Sequence, residues 1–182
     1  MFTSDAAGQN VLNYEMEEYN SVTGQVIAWV RIPTLSHATD TVLYVFYGNS
    51  SITTSQQNPT GVWDANYMGV WHVANNGGQL SLVDSTSNGN NATNNGAVAT
   101  TGQIDGGMQT NGSTYATIGT PTSLANLAQG DATFSAWVNI VSGAGGYQRG
   151  LPGVALPGII DRSPFTLGWD FGEAQEIPHD CT

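Results

Sequence analysis

The stretch DSTSNGNN, residues 84–91, sets oxygen-bearing side chains at alternate positions ahead of a glycine. Against the calcium-loop pattern D-x-[DN]-x-[DN]-G, Asp84, Thr86 and Asn88 take the first three ligand positions and Gly89 the turning position. The closing bidentate glutamate is replaced by Asn95, so a single carboxylate remains. The expected role is therefore an Asx-type turn, with Asp84 accepting backbone amides and Asn88-Gly89 reaching positive φ. Calcium on Asp84, Thr86 and Asn88 is the alternative, and it needs backbone carbonyls or a distant Asp to complete the site.

A second group is Glu15, Glu17 and Glu18. Residues two apart on a strand stand roughly 6.5–7 Å apart along the backbone. Retaining glycosidases hold two carboxyl groups about 5–5.5 Å apart, so Glu15 and Glu17 on one strand face do not exclude that chemistry. No E-x-D-x-E strand accompanies them, and a solvated strand face is the expectation. The histidines, His37, His72 and His179, are far apart. His72 is expected as a packed or hydrogen-bonded residue. His179-Asp180-Cys181 lacks the spaced partners of a zinc site and reads as a tail. Serine-nucleophile and phosphate-loop motifs are absent, and the chain is not expected to be an enzyme.

Aromatic rings could stack on sugars. Trp29, Trp71 and Trp137 sit among apolar neighbours and are expected in the core. Trp63, Tyr67, Tyr115 and Tyr147 lie near turns and are the candidate ligand-binding residues.

The elements that must position these groups are strands. In VLNYEMEEY, Leu12, Tyr14 and Met16 alternate with Asn13, Glu15 and Glu17, the period of a half-buried strand. QVIAWVRIP repeats the alternation, and TVLYVFYGN, apolar on both faces, predicts a central strand. SSITTSQQNPT is polar and contains Pro59, which predicts a linker. Further strands are expected in YMGVWHV, QLSLVD, IDGGMQTNG running into STYATIG, DATFSAWVNI and GIIDRSPFTLGWDF. SLANLAQG fits one or two helical turns. The expected organisation is a β meander over residues 1–55, a linker at 56–61 and an antiparallel sandwich over 62–182.

Charge limits the partners. Charged residues are 9% of the 182, lysine is absent, and Arg31, Arg149 and Arg162 are set against 14 acidic residues, a net charge of -11. Nucleic acid and anionic lipid both need basic clusters that this chain lacks. No apolar run reaches the ~18 residues of a membrane span. FTSDAAGQN after Met1 is not a signal peptide, so an exported chain would take its address from elsewhere in a longer protein. The one cysteine, Cys181, excludes an internal disulfide.

Several motifs resemble a known family. Gly69-Val70-Trp71-His72-Val73, Asp84–Asn91, Gly102-Gln103-Ile104-Asp105-Gly106 and Thr133-Phe134-Ser135-Ala136-Trp137-Val138 occur in the order found in laminin-G-like, concanavalin A-like jelly-roll modules of bacterial surface proteins. The resemblance covers roughly residues 62–140 and is weaker at 159–171. The first sixty residues resemble the C-terminal half of an uncharacterised β domain that often precedes such a jelly roll. Phe2-Thr3-Ser4-Asp5, Tyr14-Glu15-Met16-Glu17, Ala28-Trp29-Val30 and Tyr44–Asn49 carry that likeness. The earlier strands of the first module and the later strands of the second have no counterpart in this sequence, so the resemblance implies that both modules are partial.

The resemblance implies an all-β fold, an antiparallel β-sandwich of incomplete jelly-roll type after a short β meander. It implies a non-catalytic extracellular or cell-surface binding or adhesion module, with polysaccharide or other surface proteins as partners. The alternatives are a structural spacer of a surface fibre or layer, and an accessory segment of a secreted glycoside hydrolase. No cofactor is expected beyond the calcium alternative.

Overall fold

The computed structural model describes residues 1–111, 113–126 and 131–139, and the backbone of 158–162 and 165–168. The protein is all-β, with antiparallel two-stranded sheets and almost no helix. Two compact units divide the chain, Met1–Ala125 and Asn126–Thr182.

The first unit is organised on a hairpin of β2 (Tyr14–Asn20) and β3 (Gln25–Val30). Asn20 starts the turn, its side-chain oxygen accepting Val22 N and Thr23 N at 3.0 and 3.1 Å. Gly24 closes it at φ +74°, a conformation that favours a residue without Cβ. The register pairs Glu15 with Trp29 and Met16 with Ala28, then shifts so that Glu18 faces Ile27. Glu17 is the extra residue of this β-bulge, a device that re-aims side chains.

β1 (Phe2–Thr3) lies antiparallel to β4 (Tyr44–Val45). The Phe2 ring meets Tyr14 edge-on with centroids 5.2 Å apart. The free side of β2 is stitched to residues 57–58: Asn58 N donates to Tyr14 O at 3.0 Å, and Gln57 Oε1 accepts Met16 N at 2.6 Å. A short helix, α1 (Pro59–Val62), follows with proline in its first turn. Residues 56–61, expected as a linker, thus continue directly from β2's hydrogen bonding.

Beyond α1 the strands are short. β5 (Asn75–Asn76) pairs with β6 (Gln79–Leu80), β7 (Thr93–Asn95) with β10 (Tyr115–Thr117), and β8 (Val98–Thr101) with β9 (Gly106–Gln109). One 3-10 turn, Thr122–Leu124, stands where helical turns were expected. In the second unit β11 (Gly158–Arg162) and β12 (Phe165–Gly168) form a hairpin within GIIDRSPFTLGWDF, which was expected as a single strand stretch. No helix among the described residues is long and apolar enough to cross a membrane.

Three expectations need correction. YMGVWHV forms no strand, because its backbone and side chains bond to the 84–91 loop instead of to a neighbouring strand. The central strand expected at 41–49 reduces to Tyr44–Val45, and Val42, Val45 and Tyr47 are exposed. A central strand needs a sheet neighbour along its length, and among the described residues only Phe2–Thr3 pairs with this one. Trp137 is 77% exposed and not in the core, since residues 131–139 form no strand that would press it against an opposing layer.

The buried set is as polar as it is apolar. Leu12, Tyr14, Leu82, Ala97 and Leu124 are joined by Thr3, Glu15, Asp84, Ser85, Thr86 and Asn90. No buried side-chain polar atom among the described residues lacks a hydrogen bond, so specific bonding accounts for that polarity.

Candidate functional site

Glu15 and Glu17 are not on a solvated face. The side of β2 that bears them is covered by residues from 63–85, and their side chains retain 12% and 3% exposure. Glu15 Oε1 accepts Ser85 Oγ at 2.5 Å, and Oε2 accepts Trp63 Nε1 at 3.0 Å and meets His72 Nε2 at 3.1 Å. Glu17 Oε2 accepts Trp29 Nε1 and lies 3.4 Å from His72 Nδ1. The imidazole is therefore held at both nitrogens by carboxylates. It stacks on Trp29 at 5.7 Å and lies 5.9 Å from Trp63. Val73, next in the chain, has φ +57°, a rare conformation for a β-branched residue that the packing around His72 must hold in place.

The cluster sets its own charges. Burial pushes the Glu15 carboxyl up, but hydrogen bonds from His72, Ser85 and Trp63, with the imidazolium charge, outweigh it and hold Glu15 below the usual carboxylate range. Burial pulls His72 down, while the Glu15 hydrogen bond and the charges of Glu15 and Glu17 outweigh it and hold the imidazole raised. The sign of each effect on stability follows by linkage. The Glu15 contribution is present above its ordinary value of 4.5 and is lost as pH falls through the lowered folded value. The His72 contribution is complete below 6.5 and is lost as pH rises through the raised folded value. Stability from this pair is greatest between 4.5 and 6.5 and declines on both sides. Urea midpoints at about pH 5.5 and about pH 8.5 check this, and His72→Gln removes the alkaline decline.

Asp84, Thr86 and Asn88 are brought together, by hydrogen bonds. Asp84 Oδ1 accepts Val70 N and Thr86 N, both at 2.9 Å; Oδ2 accepts Thr86 Oγ1 at 2.9 Å and Asn90 N at 2.8 Å. Asn88 Nδ2 donates to Tyr67 O at 3.0 Å and Met68 O at 3.3 Å. This is the Asx-type turn, tied across to residues 67–70. A calcium ion there would have to displace four donors from one carboxylate. Among the described residues no group of three or more His, Cys, Asp or Glu is placed to hold a metal. Gly69 is required beside this loop: a Cβ there would come within 2.1 Å of the Trp71 ring.

The ligand candidates separate. Trp63 is half-buried, and Tyr67, 48% exposed, sets its ring edge-to-face on Trp63 at 5.1 Å. Tyr67, Asp64 and Arg31 line a groove of about 640 Å³ together with Leu12, Ile32 and Val62. That volume is in the range of ligand pockets. Tyr115, 57% exposed, belongs to the β7–β10 pair and is not a groove residue. Tyr147, the 143–158 loop, the 159–171 likeness and the His179-Asp180-Cys181 tail lie outside the residues whose side chains are described.

Reading the sequence missed Glu15, Ser85, Arg31 and Asn90 as positioned groups. The two partners of Glu15 nearest in the chain beyond its own hairpin are 48 and 57 residues away, and no local pattern encodes such a meeting. Asn90 is a buried hub: its carbonyl accepts Trp71 Nε1 at 2.9 Å and its amide donates to Met68 O at 2.7 Å.

A family model described as "Domain of unknown function (DUF2341)" matches residues 2–97. The match contains β1 through the 84–91 loop, and with them the Glu15–His72 cluster and the Tyr67 groove. No curated protein and no solved structure matches the chain.

Proposed function

The chain belongs to the DUF2341 family, and from that premise we propose that it is a non-catalytic extracellular module that binds polysaccharide. The observation that carries this reading is the Tyr67 ring, half-exposed at the groove and braced from behind by Trp63. A braced aromatic face is a rigid platform for a sugar ring and gives contact area at little entropic loss. The Trp63 indole is itself fixed through Nε1 on Glu15, so the buried cluster positions the platform. The resemblance of residues 62–140 to laminin-G-like surface modules supports the same assignment, and the charge pattern disfavours nucleic acid and anionic membranes.

Glu15, Glu17 and His72 serve this module as structure. Both Glu15 oxygens, Glu17 Oε2 and the two His72 nitrogens are engaged with one another, with Ser85 or with two indoles, an arrangement that suits a structural role for these three better than acid–base work on a glycosidic bond.

Tyr67→Ala lowers affinity for a soluble polysaccharide about tenfold, the equivalent of roughly 1.4 kcal/mol, with an unchanged melting temperature. Affinity electrophoresis in glycan-containing gels measures this. Retention equal to that of the native chain removes the groove from the binding site, and no retention by any glycan removes the function. A spacer role draws on a different observation, the exposed apolar run Val42–Tyr47. Concentration-dependent self-association of a chain that binds no glycan would favour it.

A further inference from the structure

The groove is lined by two side chains of opposite charge, Arg31 and Asp64, and by the Tyr67 ring. Arg31 sits just beyond β3 and donates a single described hydrogen bond, from Nη1 to Gly61 O at 3.3 Å. Among the described residues the ion pairs involve His72 only, so the guanidinium has no carboxylate partner. Asp64 is fixed by the turn in which Tyr67 N donates to Asp64 O at 3.0 Å. Its Oδ1 accepts Asn66 N at 2.9 Å, and its Oδ2 stands without a described donor. A planar cation with spare donors, a carboxylate oxygen with spare acceptor capacity and the Tyr67 ring therefore border one cavity.

We propose that this groove takes a neutral, polyhydroxylated sugar ring and discriminates against sugars that carry a carboxylate. The inference deepens the carbohydrate reading above and rests on it. A hydroxyl group both donates and accepts, so neighbouring hydroxyls on one ring satisfy Arg31 and Asp64 together while the ring's C–H face lies on Tyr67. A uronate would satisfy Arg31 but set its charge beside Asp64, within a chain of net charge -11. A cationic sugar would satisfy Asp64 but meet Arg31. Among sugars that are neutral or carry charge of one sign, only the neutral one escapes both repulsions, and desolvation of its hydroxyls is offset by both side chains.

The test compares one soluble neutral glucan with its carboxymethylated derivative, by isothermal titration of the full chain at low and high salt. The neutral polymer binds about tenfold or more tighter at low salt, and its affinity changes less than about twofold as salt rises, because no net charge is neutralised. Arg31→Gln and Asp64→Asn each weaken neutral binding several-fold. Arg31 is exposed and Asp64 only part-buried, so melting temperatures of both variants should match the native chain and separate lost binding from lost folding. Tighter binding of the carboxymethylated polymer overturns this inference and leaves the carbohydrate function standing. So does neutral binding that neither variant weakens. Failure of both polymers, together with every other glycan, overturns the function and the inference together.

Discussion

Glu15→Ala lowers the melting temperature of the first unit by about 10 °C, the consequence of roughly 3 kcal/mol lost stability in a unit of this size. The carboxylate is the common acceptor for Ser85 Oγ, Trp63 Nε1 and His72 Nε2. Truncation leaves a buried hydroxyl, an indole N–H and an imidazole without their acceptor, and each pays its own desolvation penalty. The neighbouring Glu18→Ala supplies the contrast. The Glu18 side chain has no described hydrogen bond or ion pair, and its removal stays within about 0.5 kcal/mol. Thermal melts followed by tryptophan emission read both variants, since Trp63 loses its anchor in one and keeps it in the other. Equal midpoints for the two variants would remove Glu15 from the centre of the fold. Coupling is the sharper measure: Glu15→Ala in a His72→Ala background should be milder than in the native chain, by about 1 kcal/mol or more.

Asp84→Ala has an effect of similar size, about 3 kcal/mol, through a different route. Here the lost acceptor served three backbone amides, Val70, Thr86 and Asn90, and the Thr86 hydroxyl. Backbone donors cannot be substituted away, so their loss is felt in full. Two of the amides belong to the loop and one to the segment leading to Trp71. The variant therefore loosens Ser85 and His72 as well, and native-state hydrogen exchange should quicken at Val70, Thr86 and Asn90 together. Protection retained at Val70 alone would show that the loop is not what holds the Trp71–His72 segment. Calcium and chelator leave the native melting midpoint unchanged if the four donors already saturate the carboxylate; a rise with calcium would show that the ion displaces them.

The two effects meet in one arrangement. Asp84 fixes the loop that carries Ser85, Ser85 and His72 close on Glu15, and Glu15 holds the indole that braces Tyr67. Polar bonding of this kind gives little net energy per bond but penalises every alternative packing heavily, which suits a small unit in which five buried apolar residues are found among those described.

Much of the local structure was legible. Alternation in YEMEEYN and QVIAWV specified β2 and β3, because side-chain period acts within a few residues. The Asx turn at Asp84 followed from residue type, since its donors Thr86 and Asn90 are neighbours in sequence; the bond from Val70, 14 residues away, did not. The apolar run at 41–49 misled for the opposite reason: its composition states what the segment could bury, and burial depends on partners that composition does not supply.

By itself, then, the sequence determined the all-β character, the main hairpin and the polar turn, all properties set over a span of about ten residues or fewer. The tertiary structure alone decided that Glu15 and Glu17 are buried, that His72 lies between them, and that Tyr67 stands braced at a groove with Arg31 and Asp64. Alternation along a strand tells which side a carboxylate takes. Whether that side meets water or another part of the chain depends on contacts made between residues 57 and 70 positions apart, and those come into being only when the chain closes on itself.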